Sequence, residues 1–256
     1  MIIRPIVKIH GGKFYLKKWI IENFPQNYQD LLYGEFYLGA GSVALNKLPS
    51  KVEIVSDINP DIFSIFSNLN DDFISKINEI QYTKSNFSKA LSQEFDPPIN
   101  EYVLRRMSRD GLKEAFSWSE RKRGGQPGDV NAWETMKKQL PIIKDRIKNW
   151  KIFNKPALEM IEEYDGEDSF FYLDPPYLPE TRVTKKAYEY EMTYEQHEDL
   201  LKTIVCCKSK VLISGYKSEL YQDYLKNWKF TYRDIANHAS QTKTKTRKIE
   251  CLWRNY

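Results

Sequence analysis

A chain of 256 residues with 41% hydrophobic and 14% aromatic residues can bury the core of one large α/β domain with an insert, or of two small domains, which excludes a disordered chain. A net charge of +4 and a pI near 8.7 permit a nucleic-acid partner without demanding one. Cys206, Cys207 and Cys251 make no disulfide framework. With His10, His197 and His238 they show no metal-ligand spacing, so neither a metal nor an oxidising compartment is expected. No stretch reaches the roughly 18 apolar residues of a membrane span, and no export-type apolar segment opens the chain, so a cytoplasmic location with no membrane partner is expected.

Residues 6–9 alternate and predict a short strand. Gly11-Gly12-Lys13 breaks it ahead of a helical spacing through Phe14, Leu16, Trp19 and Ile20 that ends at Pro25. Free backbone N–H groups and one cation before a helix suit an anionic group such as a cofactor carboxylate, although an ordinary glycine turn reads the same way. Residues 34–45 predict an aromatic strand, then Gly39-Ala40-Gly41-Ser42, then a helix. Two glycines let the backbone turn sharply and approach a ligand closely. The third glycine of a dinucleotide fingerprint is missing, and no Gly-Lys-Ser/Thr follows. The next strand, residues 52–56, ends at Asp57. An acidic residue there holds a ribose diol in doubly wound α/β folds, so a ribose-bearing cofactor is expected. The other reading of Asp57 is the N-cap of a following helix.

Residues 59–95 carry helical spacing at Ile62, Phe66, Leu69, Phe73, Ile77 and Ile80, up to Pro97-Pro98. From about 100 to 133 the chain turns basic and aromatic, with Arg105, Arg106, Arg109, Lys113, Arg121, Lys122 and Arg123 interleaved by Phe116, Trp118 and Trp133. Such an insert suits a DNA backbone and base edges, or is a solvated charged face. Base-reading candidates are Arg105, Arg109, Arg121, Arg123 and Asn131. A long helix follows over about 131–149, then a strand at 151–153 and a helix at 157–164. Polar residues 179–190 predict a mobile loop. Thr193 to Gln196 spells a capping box opening a helix. Strands are expected at 211–216, 230–235 and 249–253. Between the last two lies a basic tract with Lys243, Lys245 and Arg247, either a solvated hairpin loop or a phosphate-contacting arm.

The apolar run 170–173 reads as a buried strand that stops at Asp174-Pro175-Pro176-Tyr177. Neither proline can donate to a ladder, and each holds the residue before it extended. A stiff loop results, with one carboxylate, fixed carbonyls and one aromatic ring. A carboxylate and a rigid carbonyl that accept both N–H protons of an exocyclic amine free its lone pair, while the tyrosine stacks on the base. A proline-terminated strand with a surface aspartate is the plainer alternative.

In order, the chain shows Lys8-x-x-Gly11-Gly12-Lys13, Phe36-x-x-Gly39-Ala40-Gly41-Ser42, Ser56-Asp57-Ile58-Asn59, the basic insert, Asp174-Pro175-Pro176-Tyr177 and Leu212-Ile213-Ser214. Over nearly its whole length this resembles the alpha group, or Dam-type family, of adenine-N6 DNA methyltransferases. Residues 118–128 are similar to its phage and prophage members. The resemblance implies an α/β, Rossmann-like methyltransferase fold: a catalytic domain from 1–58 and 150–256, and a mostly helical inserted target-recognition region, 59–149. It implies S-adenosylmethionine as cofactor, held by Ile9, Gly11, Lys13, Phe36, Leu38, Gly39, Gly41, Ser42, Asp57, Ile58 and Asp174. Lys13 would meet the methionine carboxylate and Asp57 the ribose. Ile9 departs from the family, which often has an aromatic there; it can line the pocket but not stack.

The resemblance further implies that Asp174, Pro175, Pro176 and Tyr177 carry catalysis on a flipped adenine of double-stranded DNA. The backbone and bases would be met by Arg105, Arg109, Arg121, Lys122, Arg123, Asn131, Lys243, Lys245 and Arg247. Other readings are cytosine-N4 transfer on the same fold, transfer to a protein or RNA amide, and a catalytically silent DNA-binding protein. A partner restriction endonuclease is left open.

Overall fold

The structure is a computed structural model that describes residues 2–182, 189–236 and 247–256. In chain order the elements are α1 (Lys17–Glu22), β1 (Leu32–Glu35), β2 (Val52–Ser56), α2 (Pro60–Ser67), α3 (Asp71–Glu79), α4 (Lys84–Leu91) and α5 (Pro97–Met107). Then come β3 (Lys122–Arg123), β4 (Gln126–Pro127), α6 (Gly128–Ile147), β5 (Lys151–Phe153), α7 (Ala157–Tyr164), β6 (Ser169–Leu173), α8 (Tyr194–Cys206), β7 (Lys210–Gly215), α9 (Glu219–Tyr224), β8 (Lys229–Ala236) and β9 (Arg247–Arg254). The chain forms two compact units. One comprises Met1–Lys18, Leu38–Leu48 and Asp57–Asn154; the other comprises Trp19–Tyr37, Pro49–Ser56 and Lys155–Tyr256. The N-terminal arm and the glycine loop thus group with the middle of the chain, whereas the motif order divides the chain at 58 and 150.

The second unit is built on strands in the order β2-β1-β6-β7-β9-β8. β2, β1, β6 and β7 are mutually parallel, with Leu32 opposite Val52 and Ser169, and Phe171 opposite Val211. β9 joins β7 antiparallel, and β8 completes an antiparallel pair. Every residue of β6 is buried, which explains its unbroken apolar run: a central parallel strand is covered on both faces. Phe24 packs against Tyr33, Phe170 and Tyr172 on one face. The four parallel strands release their carboxyl ends at one edge, so Asp174 and Tyr216 leave β6 and β7 there. This is a Rossmann-like α/β arrangement with an antiparallel border.

The first unit is mostly helical. α5 is buried on every side from Ile99 to Met107, and Tyr102 packs against Phe73 and Trp133. Trp133 donates its indole N–H to the carbonyl of Ile80 at 3.0 Å. Three sequence expectations change here. Residues 6–9 form no strand; Ile6 makes a single backbone bond, to Ala40 at 3.4 Å, and no ladder follows. The segment after Gly41 is a turn rather than a helix, and the proline after Leu48 keeps it from extending further. Residues 59–95 are helical as expected, divided into three helices each opened by a side-chain cap from Asn59, Asn70 or Thr83. Pro97 and Pro98 open α5 instead of ending a helix, since the first turn has no N–H partner to lose.

Candidate active site

In the first unit the glycine loop is fastened to Asp57. Gly39 has φ +52° and Gly41 φ +69°, the left-handed region that glycine enters without penalty. The N–H of Gly39 donates to Oδ2 of Asp57 at 2.7 Å, and the N–H of Asn59 donates to Oδ1 at 2.9 Å. Asn59 caps α2 by accepting from the N–H of Asp61, so Asp57 is not the helix cap. The turn after Asp57 is held in place by Asn154, whose amide donates to the carbonyls of Asp57 and Ile58.

Ile9 lies over Gly39: a Cβ on that glycine would stand 2.5 Å from Cδ1 of Ile9. Lys13 is buried and donates to the carbonyl of Gly11 at 3.0 Å. Leu38 and Ser42 are buried, and Ile58 is exposed. The hydroxyl of Ser42 has no hydrogen-bond partner among the described residues. Lys8 donates to the carbonyl of Ser108, and burial, then the charge of Arg106, lowers its pKa.

In the second unit Asp174 follows β6 directly. Oγ of Ser214, on β7, donates to its Oδ1 at 2.8 Å, and the hydroxyl of Tyr172 lies 3.3 Å from the same Ser214 oxygen. Burial, then the charge of Asp174, holds the Tyr172 phenol well above its ordinary value. With one proton on Ser214, the chain of donation runs from Tyr172 to Ser214 to Asp174. Tyr177, expected to offer a face to a base, is only 4% exposed. Its ring stands edge-on to Tyr216, 4.7 Å between centroids at 70°, and its hydroxyl donates to the buried carboxylate of Glu250. Tyr216 itself is half-buried. Phe36 is core, packed on Phe171.

The expected DNA-contacting residues separate by exposure. Arg109, Arg121 and Lys122 are exposed, the last two at the β3–β4 hairpin with Trp118, which is 54% exposed. Asn131 is half-buried and donates to the carbonyl of Gln126. Arg105 does not fit a base-reading role: it is 5% exposed and ion-paired with Glu101, one helical turn away. Arg123 and Arg247 lie in β3 and β9, and Lys243 and Lys245 fall outside the described residues.

The motif order of the sequence thus lies on a Rossmann-like sheet with a helical partner unit, and one comparison settles the family. The family model described as D12 class N6 adenine-specific DNA methyltransferase matches residues 10–245. The chain belongs to that family. It is similar to the "DNA adenine methylase" of Haemophilus influenzae, at 26% identity over 97% of this chain and 92% of that protein. It is also similar to "Type II methyltransferase M.MjaIII" of Methanocaldococcus jannaschii, at 28% identity over 70% of this chain and 71% of that protein. A third relative is "Type II methyltransferase M1.LlaDCHI" of Lactococcus lactis subsp. cremoris, at 26% identity over 87% and 86%.

The methyltransferase uses S-adenosylmethionine to methylate adenine N6 in DNA, and the residues present fit that cofactor. A carboxylate that only accepts complements vicinal hydroxyls. The Ser42 hydroxyl, which has no hydrogen-bond partner among the described residues, and the buried Lys13 ammonium supply a polar contact and a cation. Among the described residues no cluster of His, Cys, Asp and Glu could hold a metal, and no helix is long and apolar enough to cross a membrane.

Ser214, Tyr216, His197 and Glu250 were not among the expected site residues. His197 is fully buried on α8, its Nδ1 3.0 Å from the hydroxyl of Tyr221. The available signal was a polar residue standing in an apolar pattern, as in Ile249-Glu250-Cys251-Leu252.

Proposed function

We propose that Asp174-Pro175-Pro176-Tyr177 performs the transfer on an adenine swung out of double-stranded DNA. The observation that carries this is the fixation of Asp174 at the carboxyl end of β6 by the hydroxyl of Ser214 at 2.8 Å. When bound, S-adenosylmethionine supplies a methyl group on a cationic sulfur, a leaving group that needs no metal. The remaining task belongs to the chain. Asp174 accepts one N–H of the amine and the Pro175 carbonyl the other, which localises the nitrogen lone pair and aligns it.

Adenine N6 lies inside a duplex, so extrusion costs a few kcal/mol of stacking and pairing. Base–aromatic stacking returns about 1–3 kcal/mol. Tyr177 and Tyr216 form the aromatic corner where the base lodges, with Tyr216 supplying the less buried ring. On the cofactor side, Asp57 holds the ribose, Lys13 the carboxylate, and Ile9, Gly11, Leu38, Gly39, Gly41, Ser42 and Ile58 line the site. Arg109, Arg121, Lys122, Arg123 and Asn131 contact DNA, joined by Lys243, Lys245 and Arg247.

The test is incubation with S-adenosylmethionine and unmethylated genomic DNA, followed by sequencing that reads modified bases. N6-methyladenine at one short motif, abolished by Asp174→Ala with cofactor still bound, is expected. Near-normal turnover by that variant overturns the catalytic assignment.

A further inference from the structure

Glu250 is a buried carboxylate that the proposed chemistry leaves unused. It is 3% exposed on β9, flanked by Ile249 and Cys251. Burying a carboxylate is costly unless it is hydrogen-bonded, and replacing such a buried polar pair as a whole by apolar groups of similar volume is often neutral or stabilising for the fold. Its presence in that strand therefore calls for a local reason. Across 73 residues of sequence it accepts the hydroxyl of Tyr177. Burial, then the charges of Glu250 and Asp174, holds that phenol well above its ordinary value, so the O–H remains a donor.

We infer that Glu250 is a positioning residue for methyl transfer, acting through the Tyr177 hydroxyl on the loop that carries Asp174 and the Pro175 carbonyl. This rests on the assignment of that loop as catalytic. The loop has few soft torsions, because Pro175 and Pro176 fix their own φ and hold their predecessors extended. It is pinned at its first residue by Ser214 and at its last by Glu250, with Tyr216 braced against the Tyr177 ring. A four-residue segment tied at both ends and stiff in the middle has its carbonyl direction set by its ties. Releasing the Tyr177 end lets the Pro175 carbonyl rotate away from the amine even though Asp174 is untouched.

The experiment measures single-turnover methylation of unmethylated DNA, cofactor affinity by calorimetry, and thermal melting. The proteins are the wild type, Glu250→Gln, Glu250→Leu, Tyr177→Phe, the two double variants and Asp174→Ala. Glu250→Leu is expected to lower the single-turnover rate on the order of 100-fold, as small misplacements do. Its cofactor affinity should stay near wild type, while its melting temperature should fall modestly because the buried Tyr177 hydroxyl loses that acceptor; the positioning role is therefore read from the rate at saturating cofactor, measured well below the melting temperature. Glu250→Gln keeps an acceptor oxygen and should recover most of the rate. With Tyr177→Phe in place, neither Glu250 substitution should lower the rate by more than about twofold, since the contact is already gone.

Wild-type rates for Glu250→Leu, or losses that multiply in the double variants, overturn the inference. Should Glu250→Leu fail to fold, Tyr177→Phe with and without Glu250→Gln separates the same two outcomes. Turnover by Asp174→Ala would instead sink the assignment of the loop. A silent Asp174→Ala beside a fully active Glu250→Leu sinks only the role of Glu250.

Discussion

The backbone N–H of Gly39 and the carboxylate of Asp57 meet at 2.7 Å, 18 residues apart in sequence. The glycine loop is therefore shaped by the same side chain that is expected to hold the ribose. Asp57→Ala removes a ribose acceptor and leaves the Gly39 N–H without its partner, a loss of about 1–3 kcal/mol. Cofactor affinity measured by calorimetry should fall at least tenfold, about 1.4 kcal/mol. Asp57→Asn keeps one acceptor oxygen and should fall between. Unchanged affinity in Asp57→Ala would show that the loop is ordered by other means.

Gly111 is the position where an added methyl group does most harm. Its φ is +76°, and a Cβ there would stand 1.9 Å from the carbonyl oxygen of Lys8. Gly111→Ala should cost on the order of 3 kcal/mol, because strain and a backbone clash combine. Gly124 and Gly125 also have positive φ but meet nothing within 4 Å. Alanine at either should cost about 1 kcal/mol from backbone conformation alone. Melting temperatures of the three variants check the ranking.

Ser214→Ala deletes the hydroxyl that orients Asp174 and leaves the carboxylate in place. A hydrogen bond to a charged group is worth about 1.5–3 kcal/mol, so kcat should fall between tenfold and a hundredfold. A wild-type kcat in this variant would mean that Asp174 is oriented without Ser214.

His197 makes stability depend on pH. Burial lowers its pKa to about 4, against the Pro176 backbone and with Arg182 adding to the effect. In the unfolded chain an imidazole binds its proton near pH 6.5, so between the two values the unfolded state holds more protons. Stability is therefore full above about pH 6.5 and is lost as pH falls toward 4, by roughly 3 kcal/mol. His197→Gln should flatten the part of the melting-temperature profile between pH 7 and 5 that this group causes. An identical profile in the variant would assign the slope to other groups.

Arginines of the middle segment should behave in two ways. Arg121→Ala and Lys122→Ala should leave melting unchanged and each reduce the salt slope of DNA affinity by about 1 if they meet phosphates. Arg105→Ala should unfold the protein more easily, by about 1–3 kcal/mol, because the buried carboxylate of Glu101 loses one of its two cations and keeps Lys113. Burial raises the pKa of Glu101 while Arg105 and Lys113 lower it, so the pair is held against desolvation. Normal melting with weakened DNA binding in Arg105→Ala would reverse this division.

The sequence was most legible where turn chemistry is local. Thr193 and Gln196 form both halves of their capping box, and β6 ends at Leu173, just ahead of Asp174 and the prolines. It was least legible where one letter serves two environments. Arg105 reads like Arg121, and only Glu101 one turn earlier hints that its charge is spent inside the unit. The helical spacing over 59–95 was legible, but the breaks at Asn70 and Thr83, which cap separate helices, were not, because the apolar spacing continues across them. Glu250 escaped notice because the partner that gives it meaning lies 73 residues away.

The complete burial of α5 has an evolutionary corollary. Any change on that helix is felt as a packing change, whereas residues 118–126 around the β3–β4 hairpin are largely exposed and contain two glycines with room around them. The hairpin, which leads into α6, can therefore be exchanged without disturbing the packing of α5. Under the DNA contacts proposed for Arg121 and Lys122, grafting that short segment between relatives is expected to alter DNA binding without redesign of the scaffold.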